Sequence, residues 1–422
     1  VAVVLLDDRI YFYDGSKGTM FIQSGFKDFP EALVLTYPDV VYELAKSYVD
    51  VGCDFIQTNT FGANGHTLTL NNLANRQKEI ITKAFELASK AASEREGCNV
   101  VFSIGSIGKL MKPAGDMDFD EAYSLFYTMA DYAFSAGARI FHLETFTDLY
   151  EMKVAVLALK DLSEQRETKL TIYATVAFEE NGRTLMGNTP EECAKLLSKL
   201  GVNALGANCS FGAEKMMPII ERMARSTNLP ILAKPNCGLP KNVDGQIVFE
   251  QSPEEFANEC LALAKAGAQI IGGCCGTTPL HIQEMIRVLS EEQEKGILPI
   301  KRAEYVEEKV VYKNPMVCYH KEWDEDSLYD LAYDISDDDE NDLVCIYGND
   351  GKNMANAVAV LQRILKKEVI IACNNAEGYE EAIRRAPNLP NIYLTTDFDK
   401  SEMDKIIKIA EKYGVKIIEG EL

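Results

Sequence analysis

The sequence predicts an α/β fold: a (β/α)8 barrel over residues 1–290, then a small C-terminal α/β domain over residues 343–422. Three observations predict it. Short apolar runs alternate with amphipathic stretches through the first 290 residues, the serial order of a parallel barrel closed on itself. The motifs rich in Gly, Cys, Asn and Glu each follow an apolar run, where such a barrel builds its active site. A second, shorter strand–helix alternation begins at Leu343, after a stretch of different composition.

In order along the chain, strands are predicted at Ile10–Tyr13, Phe55–Thr58, Val100–Ile104, Ile140–Leu143, Leu170–Val176, Ala204–Ala207, Ile231–Ala233 and Ile270–Gly273. They are continuously apolar, as strands covered on both faces must be. Helices are predicted at Pro38–Val51, Asp120–Ala136, Leu149–Leu162, Pro190–Leu200, Ala213–Arg225, Pro253–Ala266 and Pro279–Ser290. Thr189-Pro190-Glu191-Glu192 and Ser252-Pro253-Glu254-Glu255 are start signals: a hydroxyl cap, then Pro in the first turn. Residues 291–342 read as a connector, Glu/Lys-rich at first. Its part from Asp324 to Asp342 carries ten acidic residues and neither Lys nor Arg. A solvated acidic face or linker is the ordinary reading of such a run, and a docking patch for a basic partner the alternative. The last domain has strands at Leu343–Tyr347, Val369–Ala372, Ile392–Thr395 and Val415–Ile418, with helices at Met354–Lys366, Tyr379–Arg385 and Glu402–Tyr413. Gly348–Gly351 (GNDG) reads as a strand-to-helix turn rather than a phosphate loop. Nothing in this domain's sequence assigns it a role.

Composition excludes several function classes. A formal charge of −22 argues against nucleic-acid and anionic-membrane partners, which need a basic face. Eleven cysteines, placed mostly on predicted strands and helices, fit a reducing cytosol rather than a secreted disulfide scaffold. The opening VAVVLL is too short for a signal h-region or a membrane span, so the expected location is cytoplasmic.

The central motif is Ile270–Thr278, IIGGCCGTT, a strand that stops in glycines and two adjacent cysteines. The glycines let the backbone turn, so Cys274 and Cys275 need not face opposite ways. Upstream, ALGANCS (Ala204–Ser210) is another apolar strand ending in a cysteine. Cys209, Cys274 and Cys275 therefore read as a three-thiolate zinc site with an open fourth position. Binding zinc removes a thiol's proton without a general base. Lowering a thiol's pKa also lowers its nucleophilicity, and three protein thiolates offset this by keeping the fourth, substrate sulfur electron-rich. Such a set points to thiol alkylation. Cys237, in KPNCGLP, could close the site as a fourth ligand or be a packed free thiol; Asn236 could be a weak occupant of the open position. His142 reads as a core histidine. Asp14 and Glu144 are acids that follow apolar strands, and an acid there is costly unless paired with a cation.

GANCS, KPNCGLP and GGCCGTTPLHI resemble the homocysteine S-methyltransferase family, within it the homocysteine-binding module of cobalamin-dependent methionine synthase. ENGRTLMGNTPEE, HLETF, SIGSIGKL, QTNTFGAN and DGSKGT extend the resemblance over roughly residues 8–290. It implies a barrel that activates homocysteine as a zinc thiolate and methylates it to methionine. It also implies that Asp14 and Glu144 contact the substrate's amino group. Backbone N–H groups of the Gly15–Thr19 turn, with Thr58 and neighbouring Asn59, would hold its carboxylate. One departure is Ser16-Lys17, where the family has a small or apolar pair; a cation there could strengthen binding or mark a more negative substrate. The four histidines (in GANGHTL, RIFHLET, PLHIQEM and VCYHKEW) lack the Asp-x-His-x-x-Gly context of a corrinoid module. The residues after the connector are too few for a second barrel, which takes about 250. The expected donor is therefore methylcobalamin on a separate corrinoid protein. The competing expectations are another thiol acceptor, a sulfonium donor, or an inactive barrel that docks a corrinoid protein.

Overall fold

The computed structural model describes residues 6–238, 241–243, 246–307, 317–320, 325–336, 341–365, 367–394 and 398–418. Most of the opening VAVVLL, the end of KPNCGLP, part of the 291–342 stretch including residues 337–340, Lys366 and Thr395 lie outside them. The chain forms two compact units: residues 1–110 with 120–305, and residues 111–119 with 306–422.

The first unit is the expected barrel. Its strands are β1 (Tyr11–Phe12), β2 (Phe55–Gln57), β3 (Asn99–Gly105), β4 (Ile140–Phe146), β5 (Thr171–Val176), β6 (Ala204–Asn208), β7 (Ile231–Lys234) and β8 (Ala268–Ile271). Each pairs in parallel with its sequence neighbour from β2 to β8, and β8 returns to pair with β1. A parallel bridge between Tyr13 and Phe55 joins β1 to β2, so no sheet edge remains. Tyr11, Tyr13, Phe55, Val101, Ile140, Tyr173, Ala204, Leu232 and Ile270 fill the interior in one cluster. One position admits only glycine: a Cβ on Gly206 would stand 1.7 Å from the Leu232 carbonyl oxygen. Thr189 and Ser252 cap their helices as expected, each in a reciprocal bond with the Glu three residues on. A short hairpin, Lys241–Val243 with Gln246–Val248, follows β7.

The second unit is a parallel sheet of β9 (Val317–His320), β10 (Leu343–Tyr347), β11 (Glu368–Ala372), β12 (Ile392–Tyr393) and β13 (Ile417–Ile418), in sequence order. Among the described residues the strand order does not reverse. Two of its elements depart from the sequence reading. Part of the stretch read as connector supplies β9 as a strand of the sheet. The acidic run contains a helix, Glu325–Ser336, which buries Leu328, Ala332 and Ile335. Those three recur every three to four residues, one face of a helix, and the surrounding acids mask that stripe from a reading by composition. Asp350 of the GNDG turn caps the helix Gly351–Ile364 by accepting the Asn353 N–H at 3.0 Å. No helix among the described residues is long and apolar enough to cross a membrane.

Candidate active site

At the C-terminal mouth of the barrel, a cavity of about 240 Å³ is walled by the ends of β2, β3, β4, β6 and β7, the turn after β1 and the turn after β8. Its two sides differ in chemistry.

One side is sulfur. Beyond β6 the backbone turns through left-handed conformations at Cys209 and Ser210, both with φ of 65°. For residues with a Cβ this geometry carries strain, and here it aims the Cys209 thiol across at the GGCC turn. That turn is fastened to the β7 turn: the Cys274 N–H donates to the Pro235 carbonyl at 2.7 Å, and the Cys237 N–H to the Cys275 carbonyl at 2.9 Å. The Cys275 N–H donates to Asn236 Oδ1 at 3.1 Å. The three sulfurs of Cys209, Cys274 and Cys275 all lie within 4.8 Å of one another, with Cys209 and Cys275 4.0 Å apart. A tetrahedral zinc with Zn–S bonds of about 2.3 Å needs sulfurs about 3.8 Å apart, so this donor set fits that ion. Hydrogen bonds from Cys274 and Cys275 draw the Cys209 thiol well below its ordinary range, and their bonds to Cys209 raise the other two.

Cys237 is not part of the trio. Its buried sulfur packs 3.1 Å from His281 Nε2 and 3.4 Å from the Gln251 carbonyl oxygen, and burial pushes its pKa up to about 11. Asn236 is committed twice, to the Cys275 N–H and to the Cys209 thiol.

The other side is charged. Glu144 accepts from Gln57 Nε2 at 2.8 Å and from the Ser103 hydroxyl. Burial raises its pKa, with Lys234 and the Ser103 bond opposing. Asp14 has no exposed surface and does not line the cavity. Lys17 and Lys234 both pair with it, Lys234 at 3.2 Å, and the Gln57 N–H donates to it at 2.8 Å. Burial pushes its pKa up, but the two ammonium groups more than offset this and leave it below its ordinary value. Lys234 itself is buried, bonded to Gln57 Oε1 and set 4.2 Å from the centre of the Tyr13 ring. His142 sits behind this layer, bonded to Tyr13, Gln57 and Thr175, and burial pushes its pKa well below the ordinary value.

The remaining predicted residues line the same cavity in more constrained ways. Gly15 has no room for a side chain, since a Cβ would stand 2.7 Å from Thr277 Oγ1. The Thr19 hydroxyl accepts the Gly276 N–H at 3.1 Å, tying the first turn to the last. Thr58 accepts the Ser103 N–H at 3.1 Å, and Asn59 donates to the Pro30 carbonyl at 2.7 Å. Gln57, Ser103, Lys234 and Glu31 line the cavity without having been assigned a part from sequence. Lys234 had a legible signal: a lysine that ends the apolar run ILAK must find a buried anion. Glu31 had none. It bonds the Gly62 N–H at 2.5 Å, and burial raises its pKa to about 7.

Fold and site together define a TIM-barrel enzyme with a three-thiol centre at its mouth. Residues 11–289 match the family described as homocysteine S-methyltransferase, and the chain belongs to that family. Methionine synthase of Mycobacterium tuberculosis (strain ATCC 25618 / H37Rv) is 29% identical over 294 residues, covering 67% of this chain and 25% of that protein. Methionine synthase of Mycobacterium leprae (strain TN) is 28% identical over 293 residues, 66% of this chain and 24% of that protein. The chain thus spans about a quarter of the length of these relatives. The metallated form of the Escherichia coli homocysteine methyltransferase MmuM superposes with a TM-score of 0.55 at 19% identity, over 66% of this chain and 96% of that one. Its apo form gives 0.53 at 20%, over 67% and 97%, so the barrel fold is shared.

Proposed function

We propose that this chain methylates homocysteine to methionine at a zinc ion held by Cys209, Cys274 and Cys275, with the methyl group arriving as methylcobalamin on a corrinoid protein. The observation that carries the reading is the meeting of three sulfurs with the acid Glu144, across from them, in a single cavity. Zinc, when bound, supplies the Lewis acidity that takes the proton from a thiol at neutral pH. Three protein thiolates around such an ion would keep an acceptor sulfur bound beside them electron-rich, as a methyl acceptor must be. Glu144, oriented by Gln57 and Ser103, receives the acceptor's ammonium and so fixes which way its sulfur points. Gln57 ties the acid layer together, since its amide touches Glu144, His142 and Lys234 at once. Membership in the family and the methionine synthase relatives support homocysteine as acceptor. The corrinoid donor rests on the resemblance of the cysteine motifs to the cobalamin-dependent branch of the family, and none of the four histidine contexts in these 422 residues has the corrinoid-module pattern.

The test is a zinc assay paired with methionine formation. The purified chain should bind one zinc and make methionine from homocysteine once methylcobalamin is supplied, and not from methyltetrahydrofolate alone. Zinc binding without turnover on any donor would make it a docking barrel; comparable turnover with S-methylmethionine would assign a sulfonium donor.

A further inference from the structure

Two lysines line the cavity, Lys17 and Lys234, and their placement sets Asp14 apart from Glu144. Lys17 stands on the turn between β1 and the helix Gly18–Gln23, lines the cavity and bonds the Asp14 carboxylate. Its side chain is 11% exposed, whereas Asp14 is wholly covered. Lys234 holds the other oxygen of Asp14. Asp14 thus carries two ammonium groups already, and the three form a cluster of net charge +1. Bringing an acceptor's ammonium to Asp14 would place a third cation on one buried carboxylate, with like-charge repulsion in a poorly screened site. A carboxylate meets the opposite situation. Lys234 is 1% exposed and committed to Asp14, Gln57 and the Tyr13 ring, so it cannot turn outward. Lys17 can turn: an ammonium has three donors, and the bond to Asp14 takes one.

On the proposed acceptor chemistry, we infer that Lys17 is a specificity-determining residue that takes the α-carboxylate of the thiol acceptor. Asp14 acts through it as a positioning residue, and the ammonium goes to Glu144 alone. The pocket then recognises an amino acid by one acid and one lysine on separate walls, and it binds a thiol that lacks the amine but keeps the carboxylate.

Three thiols of the same length separate the possibilities. Homocysteine has both charged groups, 4-mercaptobutanoate only the carboxylate, and 3-mercaptopropylamine only the ammonium. Binding to the zinc-loaded full chain is measured by calorimetry for the parent, Lys17→Met and Lys17→Arg, with zinc content checked in each. Lys17→Met should weaken homocysteine and 4-mercaptobutanoate about tenfold or more, the scale of a lost charged hydrogen bond. It should leave 3-mercaptopropylamine within about twofold. Lys17→Arg should restore most of the affinity, because it returns the charge. An equal loss on all three thiols, or tighter homocysteine binding in Lys17→Met, overturns the inference while leaving the acceptor assignment in place. A parent that holds zinc but binds none of the three thiols overturns the acceptor assignment, and the role of Lys17 falls with it.

Discussion

The sulfur wall and the charged wall of the cavity are built on different principles. The sulfur wall is built on the turns after three neighbouring strands, β6, β7 and β8, and two of its three sulfurs are adjacent in the chain. Its geometry is set by backbone: left-handed φ at Cys209 and the hydrogen bonds that fasten the GGCC turn. The charged wall gathers Asp14, Gln57, Ser103, Glu144 and Lys234 from five strands or strand ends, and its side chains join one another across the barrel. A wall of the first kind fails one ligand at a time with the barrel intact. A wall of the second kind is cooperative, and removing one charge strands its partner.

The largest expected effect tests the first half of that contrast. Cys209→Ala, Cys274→Ala and Cys275→Ala should each abolish zinc binding and methionine formation. Thermal melting of the metal-free protein should barely change, because the thiols stand at the mouth and not in the barrel layers. Full zinc occupancy in Cys274→Ala would end the ligand assignment.

Lys234→Met attacks the other half. It leaves Asp14 buried with a single remaining cation, and losing one partner of a buried pair costs about 3–5 kcal/mol. Lys17 still neutralises the acid, so the lower end of that range is expected from denaturant midpoints. Unchanged stability would show that the charged wall is not cooperative.

Next comes a pH effect at Glu31. Its folded pKa of about 7 lies above the ordinary 4.5, so the folded protein holds this proton more tightly than the unfolded chain does. The favourable contribution is full at pH below about 4.5, falls as pH rises toward about 7, and is gone above it. Glu31→Gln keeps the shape and removes the titration. Relative to the parent, it should gain on the order of 3 kcal/mol in stability between pH 4.5 and pH 8. Parallel pH–stability curves for parent and variant would refute this.

Glu144→Gln should raise the KM for homocysteine by a lost charged hydrogen bond, roughly 1.5–3 kcal/mol or tenfold and more, with zinc retained. Equal homocysteine affinity in parent and variant would remove Glu144 from the pocket. The smallest effect belongs to Cys237→Ala, which should keep zinc and activity and lose only about 1 kcal/mol of packing stability. Metal loss there would bring Cys237 into the coordination sphere.

The same contrast explains what could be read in advance. Periodicity and cap signals located the eight barrel strands, because a strand buried on both faces is continuously apolar and a Ser/Thr-Pro-Glu-Glu run has one main use. The cysteine motifs were readable for a local reason: Gly-Gly-Cys-Cys-Gly combines a turn and two ligands in five residues. Glu144 and Asp14 were readable as acids at strand ends. Their partners were not, since Gln57, Ser103 and Lys234 meet only when distant strands close the barrel. The helix at Glu325–Ser336 was hidden because its apolar stripe of Leu328, Ala332 and Ile335 lies among acids that dominate any count of composition.

By itself, then, the sequence determined the barrel, its family and the three thiols, all of which follow from patterns within a few residues of one another. The tertiary structure alone decided how the charges are shared. It covered Asp14 with two lysines, left Glu144 facing the cavity, turned Cys237 toward His281 and set Glu31 against the Gly62 N–H. The physical reason is range. Backbone turns and apolar periodicity are set by neighbours in the chain, whereas a buried charge takes its state from whichever groups closure of the barrel brings within a few ångströms.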